Sequence, residues 1–192
     1  MSLVAVVTAA GASTRMGEPK ARLSWRGVSF VRHAVAQAQA AGVSACVVVQ
    51  GATALDDLDL GPAQLVAHPG WEAGPLSTLQ AGLGALRRPD DAGVLVLTVD
   101  RPHVRPATVR ALAACFRDEP TQLWQPRHGG VHGHPIVYPA DLVARLMALP
   151  PNATAREVVH APDVRPRRAF MDTDDPAVVD NIDRPEDYAR LP

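Results

Sequence analysis

Lysine is almost absent from this sequence. Of 19 basic residues only Lys20 is a lysine, so the bias that favours arginine elsewhere was not followed at that position. An excess of charge of either sign is missing too. The formal net charge is -1, which gives no general electrostatic attraction to nucleic acid or to an anionic membrane surface. A small anionic ligand, held by local charge, stays open. No apolar run approaches the length of a membrane span, and no basic stretch leads into an apolar core near the N-terminus. Neither a spanning nor a targeting segment is therefore expected, and the expectation is a soluble, cytoplasmic protein. Cysteine is scarce: Cys46 sits in an apolar run and Cys115 in a helical pattern, without metal-ligand spacing. Both read as small core hydrophobes rather than as nucleophiles.

What is present is enough apolar residue for one sizeable core. With 192 residues, 47% hydrophobic and 20% charged, residues 1–192 are expected to form a single domain. Apolar runs alternate with helical patterns along it. "LVAVVTA" (3–9), "ACVVVQ" (45–50), "AQLVAH" (63–68) and "GVLVLTV" (93–99) read as buried strands. Between and after them, "VSFVRHAVAQAQAAG" (28–42), "LSTLQAGLGALRR" (76–88) and "RPATVRALAACFRD" (105–118) read as helices. Strands that are apolar throughout rather than alternating belong in a mainly parallel sheet covered on both faces. The expected fold is therefore α/β, a Rossmann-like three-layer arrangement with ligands at the carboxyl ends of the strands. Beyond Asp118 the pattern loosens into "LWQPRHGGVHGHPIVYP" (123–139), a Gly- and His-rich turn between two short extended pieces. His128, His132 and His134 lie there, too loosely spaced and too far from any cysteine for a zinc site.

The first strand runs into "TAAGASTRMGEPKARL" (8–23), which gathers small residues, Arg15 and the sole lysine in one loop. It is not a GxxxxGK[ST] loop, because the glycine spacing differs and Ala21 stands where a hydroxyl would meet magnesium. Nor is it GxGxxG, since Ser13 and Met16 replace the second and third glycines. What remains is a turn, Ala9, Ala10 and Gly11, small enough for backbone amides to approach a ligand, with two cations beyond it. That chemistry suits a nucleoside triphosphate. A crowded phosphate site also gives a reason for lysine, whose ammonium is compact where a guanidinium is a wide fork.

Five segments in order, "TAAGASTRMGEPK" (8–20), "GPLSTLQAGL" (74–83), "LTVDRPHV" (97–104), "GHPIV" (133–137) and "NIDRPEDY" (181–188), resemble the motifs of the molybdenum cofactor type of nucleotidyltransferase. Together they span nearly the whole chain. The "TAAG" turn is similar to that of the cytidylyl-transferring subgroup, whose Rossmann-like members move CMP from CTP onto the terminal phosphate of the molybdenum cofactor (molybdopterin) and release pyrophosphate. The guanylyl-transferring relatives carry a Leu-Ala-Gly-Gly turn instead.

The resemblance implies roles residue by residue. Ala9, Ala10 and Gly11 would contact the nucleotide, joined by Gly74, Pro75, Leu76 and Ser77 from the second motif. Arg15 and Lys20 would neutralise the triphosphate as pyrophosphate leaves, which is what nucleotidyl transfer needs more than an acid or a base. Asp100, at the end of a strand, would be a catalytic residue and the first ligand of Mg²⁺, with Asp183 the second. Val99 and Arg101 flank Asp100 where the family has Gly and then Gln or Met, and Arg184 stands where Thr is usual. Asp174 and Asp175, in the same acidic tail, are secondary candidates and read as structural. His134 would face the second substrate, as would the "PPNATARE" element (150–157). Another phosphorylated acceptor, such as a sugar phosphate, methylerythritol phosphate or phospholactate, fits the same triphosphate loop. So does a non-catalytic chaperone that hands the cofactor to a molybdoenzyme client.

Overall fold

The computed structural model describes residues 1–192. Ten strands and six helices follow in order: β1 (Leu3–Ala9), β2 (Ser24–Trp25), β3 (Val28–Ser29), α1 (Phe30–Ala40), β4 (Cys46–Gln50), β5 (Gln64–Ala67), α2 (Pro75–Ala85), β6 (Gly93–Thr98), α3 (Pro106–Asp118), β7 (Leu123–His128), β8 (Val131–His132), β9 (Ile136–Tyr138), α4 (Ala140–Ala148), α5 (Ala155–Val159), β10 (Arg168–Asp172) and α6 (Pro185–Ala189). The main sheet runs β10-β7-β9-β6-β1-β4-β5, with β8 paired to β7. β1 is parallel to β4 and β6, β4 to β5 and β7 to β10, whereas β9 runs antiparallel to both β6 and β7. The carboxyl ends of β1, β6, β7 and β10 therefore lie along one edge of the sheet.

Both faces of that sheet are covered, which is why its central strands are apolar at every position. Ala5, Val7, Leu95 and Val137 point to the side packed by α1 and α3, through Val31, Val35, Val109 and Leu112. Val4, Val6, Val94, Val96 and Leu123 point the other way, to α2, α4 and α5 through Leu79, Leu83, Leu142 and Val158. The result is the three-layer α/β fold that the alternation predicts. Close approach of α2 depends on Gly82: a Cβ there would lie 2.5 Å from Val6 and 2.9 Å from Val49. No helix of the chain is long and apolar enough to cross a membrane.

Three details depart from the sequence reading. α2 stops at Ala85 instead of running to Arg88, because Leu86 turns extended and Pro89 disfavours helix in the residue before it. Cys46 is core, with burial pushing its thiol up to about 12, but Cys115 is only partly buried on α3. β10 was not anticipated, since an edge strand reading "RAFMD" carries no apolar run.

Candidate functional site

The strand β1 ends at Ala9, and the loop that follows is pinned at several points. Ala10 accepts a hydrogen bond from the Ala52 amide (2.9 Å) and is buried. Its neighbour across the gap must be glycine, because a Cβ on Gly51 would lie 2.7 Å from the Ala10 Cβ, the Ala10 carbonyl and the Trp71 Cβ. Farther on, Ser13 takes a positive φ of 55°, and its Oγ accepts from the Lys20 amide (3.0 Å). Its carbonyl accepts from Met16 N (2.9 Å). Met16 then buries itself with Leu23, Phe30 and Ile182. The Arg-Met-Gly sequence thus has a division of labour: methionine anchors the loop while Arg15 stays two-thirds exposed and Lys20 is drawn inward.

Asp183 meets those cations. Its Oδ1 accepts from Lys20 Nζ, and its Oδ2 from Asn181 Nδ2 (2.6 Å) with Arg15 Nη1 at 3.3 Å. Burial alone would raise the Asp183 pKa, but the Lys20 hydrogen bond and the charges of Lys20, Arg15 and Arg101 outweigh it and hold the carboxyl below its ordinary range. The segment is held against the sheet by the Ile182 amide, which donates to the Asp100 carbonyl (2.8 Å). Asp183 follows Ile182 next to that contact, and both of its oxygens are engaged by protein groups; it is not among the residues that line the cleft at the carboxyl ends of β1 and β6.

Asp100 follows β6 directly. Its Oδ1 accepts from Thr98 Oγ1 and from Arg101 Nη1 (3.1 Å), while Oδ2 has no protein partner. Arg101 also donates to Thr98 Oγ1 (3.2 Å). The residue that departs from the family pattern thus folds back onto the carboxylate before it.

Ala9, Ala10, Gly11, Arg15, Lys20, Gly74, Pro75 and Asp100 line a single cleft of about 490 Å³ at the carboxyl ends of β1 and β6. Gly74, at φ 118°, makes the turn into α2, and Pro75 opens that helix. Leu76 and Ser77 are not on the wall. Leu76 joins the core under α2, and Ser77 Oγ donates to the Gly74 carbonyl (2.8 Å) while bonding His68 Nε2 (3.0 Å). Helical rotation instead presents Thr78 to the cleft, with Trp71 and Glu72 from the preceding turn. Thr8 and Thr98, paired across β1 and β6, complete the floor. Polar residues ending apolar strands were the available signal for both.

His134 lies outside that cleft, in a small cavity shared with Thr98, Arg101 and Gln37. Its amide donates to the Val178 carbonyl (2.9 Å), and the preceding Gly133 has no room for a Cβ, which would sit 1.8 Å from that oxygen. Burial, helped by the charges of Arg101 and His132 and opposed by Asp100, lowers the His134 pKa to about 4. It is neutral near pH 7, and its buried Nδ1 has no protein partner. Asp174 and Asp175 do not approach the cleft: both pair with Arg105, and Asp175 caps the turn at Pro176–Val178.

Residues 5–167 match the family described as the MobA-like NTP transferase domain. Nicotine blue oxidoreductase of Paenarthrobacter nicotinovorans is 32% identical to this chain over 151 residues, 71% of each protein. The probable molybdenum cofactor guanylyltransferase of Opitutus terrae is 33% identical over 106 residues, 55% of this chain and 52% of that protein. Among solved structures, a nucleotidyl transferase from Methanothermobacter thermautotroptrophicus superposes with a TM-score of 0.80 and 26% identity, over 98% of this chain and 95% of that one.

Proposed function

The chain belongs to the MobA-like NTP transferase family, the molybdenum cofactor type of nucleotidyltransferase, and from that premise we propose that it transfers CMP from CTP to the terminal phosphate of molybdopterin, releasing pyrophosphate. The observation that carries the proposal is one cleft where Lys20, Arg15 and Asp100 converge on a small-residue turn. Residues from Thr8 to Asp100 line it and Asp183 holds its two cations, so residues 1–192 act in this reading as one catalytic domain in the cytoplasm.

In this reading the amides around Ala9 to Gly11 and the Gly74–Pro75 turn hold the nucleoside, and Lys20 and Arg15 take the β- and γ-phosphates. Both cations are now held by Asp183. An incoming triphosphate offers them more charge than one carboxylate does, so they exchange Asp183 for phosphate oxygens. The residues present fit a divalent ion. Asp100 offers the unpartnered Oδ2, and release from Lys20 would free Asp183, a donor set of hard oxygens suited to Mg²⁺ completed by phosphates and water. When bound, such an ion would cancel charge developing on the phosphates. Lys20 and Arg15 would steady the departing pyrophosphate, while the loop fixes the α-phosphate in line with the acceptor.

For the base, Ala10 supports CTP. Its methyl is wedged against Gly51, so the loop cannot sink farther toward Ala52 and enlarge the nucleoside end. The Opitutus terrae relative is named for the molybdenum cofactor, which supports the acceptor, and for guanylyl transfer, so the base rests on Ala10. A panel of the four nucleoside triphosphates against molybdopterin, methylerythritol phosphate and a sugar phosphate, read as pyrophosphate, tests the whole. Release is expected with molybdopterin as acceptor, faster with CTP than with GTP. Faster release with another pairing would replace base or acceptor, and binding without release would leave a carrier rather than a catalyst.

A further inference from the structure

The segment "LTVDRPHV" departs from the family pattern in charge as well as in size, because Arg101 stands where Gln or Met is usual. A cation thus follows directly on the carboxylate at the end of β6. Its backbone is clamped from both sides: the Arg101 carbonyl accepts from Gln37 Nε2 of α1 (3.0 Å), which also donates to the Pro102 (3.2 Å) and Val104 (3.0 Å) carbonyls, while the Asp100 carbonyl accepts from the Ile182 amide (2.8 Å). The side chain is enclosed as well. It is 15% exposed, lines a small cavity with Leu97, Val104 and Pro135, and keeps a buried Nε that has no protein partner. The guanidinium therefore stays on Asp100 rather than swinging out to solvent.

Three groups close a triangle there. Arg101 Nη1 donates to Asp100 Oδ1 (3.1 Å) and to Thr98 Oγ1 (3.2 Å), and Thr98 Oγ1 donates to the same Asp100 oxygen. Only Oδ2 is left without a protein partner. The other carboxylate is no more available, since Asp183 gives its oxygens to Lys20, Asn181 and Arg15. Two further acids do not change this. Asp187 is taken by the Asp183 and Arg184 amides and by Arg190, and Glu72, in the turn before α2, pairs with none of Lys20, Arg15 and Arg101. A bare divalent ion thus meets one free carboxylate oxygen among cations that outnumber Asp100 and Asp183, where Mg²⁺ requires an octahedral shell of oxygens. A triphosphate reverses both conditions by adding oxygens and negative charge.

We propose that Arg101 is a positioning residue and a resident cation for Asp100: it holds the carboxylate with Oδ2 alone free and excludes a free divalent ion, which enters this site only as a complex with the nucleoside triphosphate. A neutral Gln or Met in its place would leave Oδ1 to Thr98 and the carboxylate charge uncompensated. The ion would then bind ahead of the nucleotide. The inference rests on the reading of Asp100 as a metal ligand and adds to it an order of binding, but its test does not depend on turnover.

Equilibrium dialysis of Mn²⁺ against the full chain reads the affinity directly. The wild type alone should take up the ion weakly, and the α,β-methylene analogue of CTP or GTP, which cannot be cleaved at that bond, should bring it in. Arg101→Met should bind Mn²⁺ about tenfold or more tightly without nucleotide, since the cation beside the ligand is gone, and adding Asp100→Asn should abolish that gain. Arg101→Lys keeps the charge and should stay near the wild type. Should Arg101→Met prove unstable in a thermal melt, Arg101→Gln supplies the same comparison. Equal nucleotide-free affinity in the wild type and the folded neutral variant, a gain in Arg101→Lys as large as in Arg101→Met, or a gain that survives Asp100→Asn would overturn the role of Arg101. Absence of uptake with either analogue present would remove the metal reading and the inference with it. Pyrophosphate release enters none of these results, so failure of the cytidylyl reading leaves them standing.

Discussion

Lys20 and Asp183, 163 residues apart in the chain, meet as an ion pair at the wall of the cleft. The pair ties the first motif to the last and shows that the sole lysine is not a solvated surface charge. Its side chain is 13% exposed, fixed on one side by the Ser13 hydroxyl that holds its own amide. A guanidinium keeps the charge but not the shape. Lys20→Arg should therefore fold, as judged by a thermal melt, and lose most of its turnover in steady-state kinetics, because small displacements of charge are costly in transfer chemistry. Wild-type turnover would reduce the lone lysine to a compositional accident.

Asp100 and Asp183 should respond differently to loss of charge. Asp100→Asn removes the one carboxylate oxygen without a protein partner, and turnover should fall by about two orders of magnitude or more at saturating magnesium. Asp183→Asn should be milder, since Asp183 is shared with two cations and serves the loop as well. Kinetics of both variants across a magnesium titration decide the order, and a fully active Asp100→Asn would remove Asp100 from the site.

Base preference should be modest. One methyl discriminates by only about 1–3 kcal/mol, so CTP should bind more tightly than GTP in a calorimetric titration without excluding it. Ala10→Gly should narrow the gap by letting the loop settle toward Gly51. Equal affinity of the wild type for both nucleotides would refute the role given to Ala10.

His134 predicts a pH effect of definite sign. Its folded pKa is about 4, below the roughly 6.5 of an unfolded histidine. The unfolded chain then binds the extra proton between those values, so stability is fully present above about 6.5 and is lost as pH falls toward 4. Melting temperatures followed over that window should decline less steeply in His134→Gln than in the wild type. Parallel curves would show that His134 is solvated and free to titrate.

Much of this architecture is legible because the buried strands are apolar without interruption. β1, β4 and β6 sit where their runs say, and Asp100 follows from a strand that ends in polar residues. Rotation about a helix axis is harder to read. "GPLSTL" names the right turn, yet only the register of α2 on the sheet sends Leu76 inward and Thr78 to the cleft. Contacts between distant segments leave no local pattern at all. Nothing in "NIDRPEDY" announces that Asp183 is already held by Lys20 and Arg15, or in "VDRP" that Arg101 folds back on Asp100. Edge strand β10 was invisible because "RAFMD" has the charge of a surface and only half the burial of a strand.

The central claim is that the bond broken lies between the α- and β-phosphates of a nucleoside triphosphate. CTP labelled at the α-phosphate, and in a parallel reaction at the γ-phosphate, tests it directly in the presence of magnesium and molybdopterin. The account predicts the α-label on the acceptor and the γ-label in pyrophosphate. Appearance of the γ-label on the acceptor, or of neither label outside CTP, would contradict it.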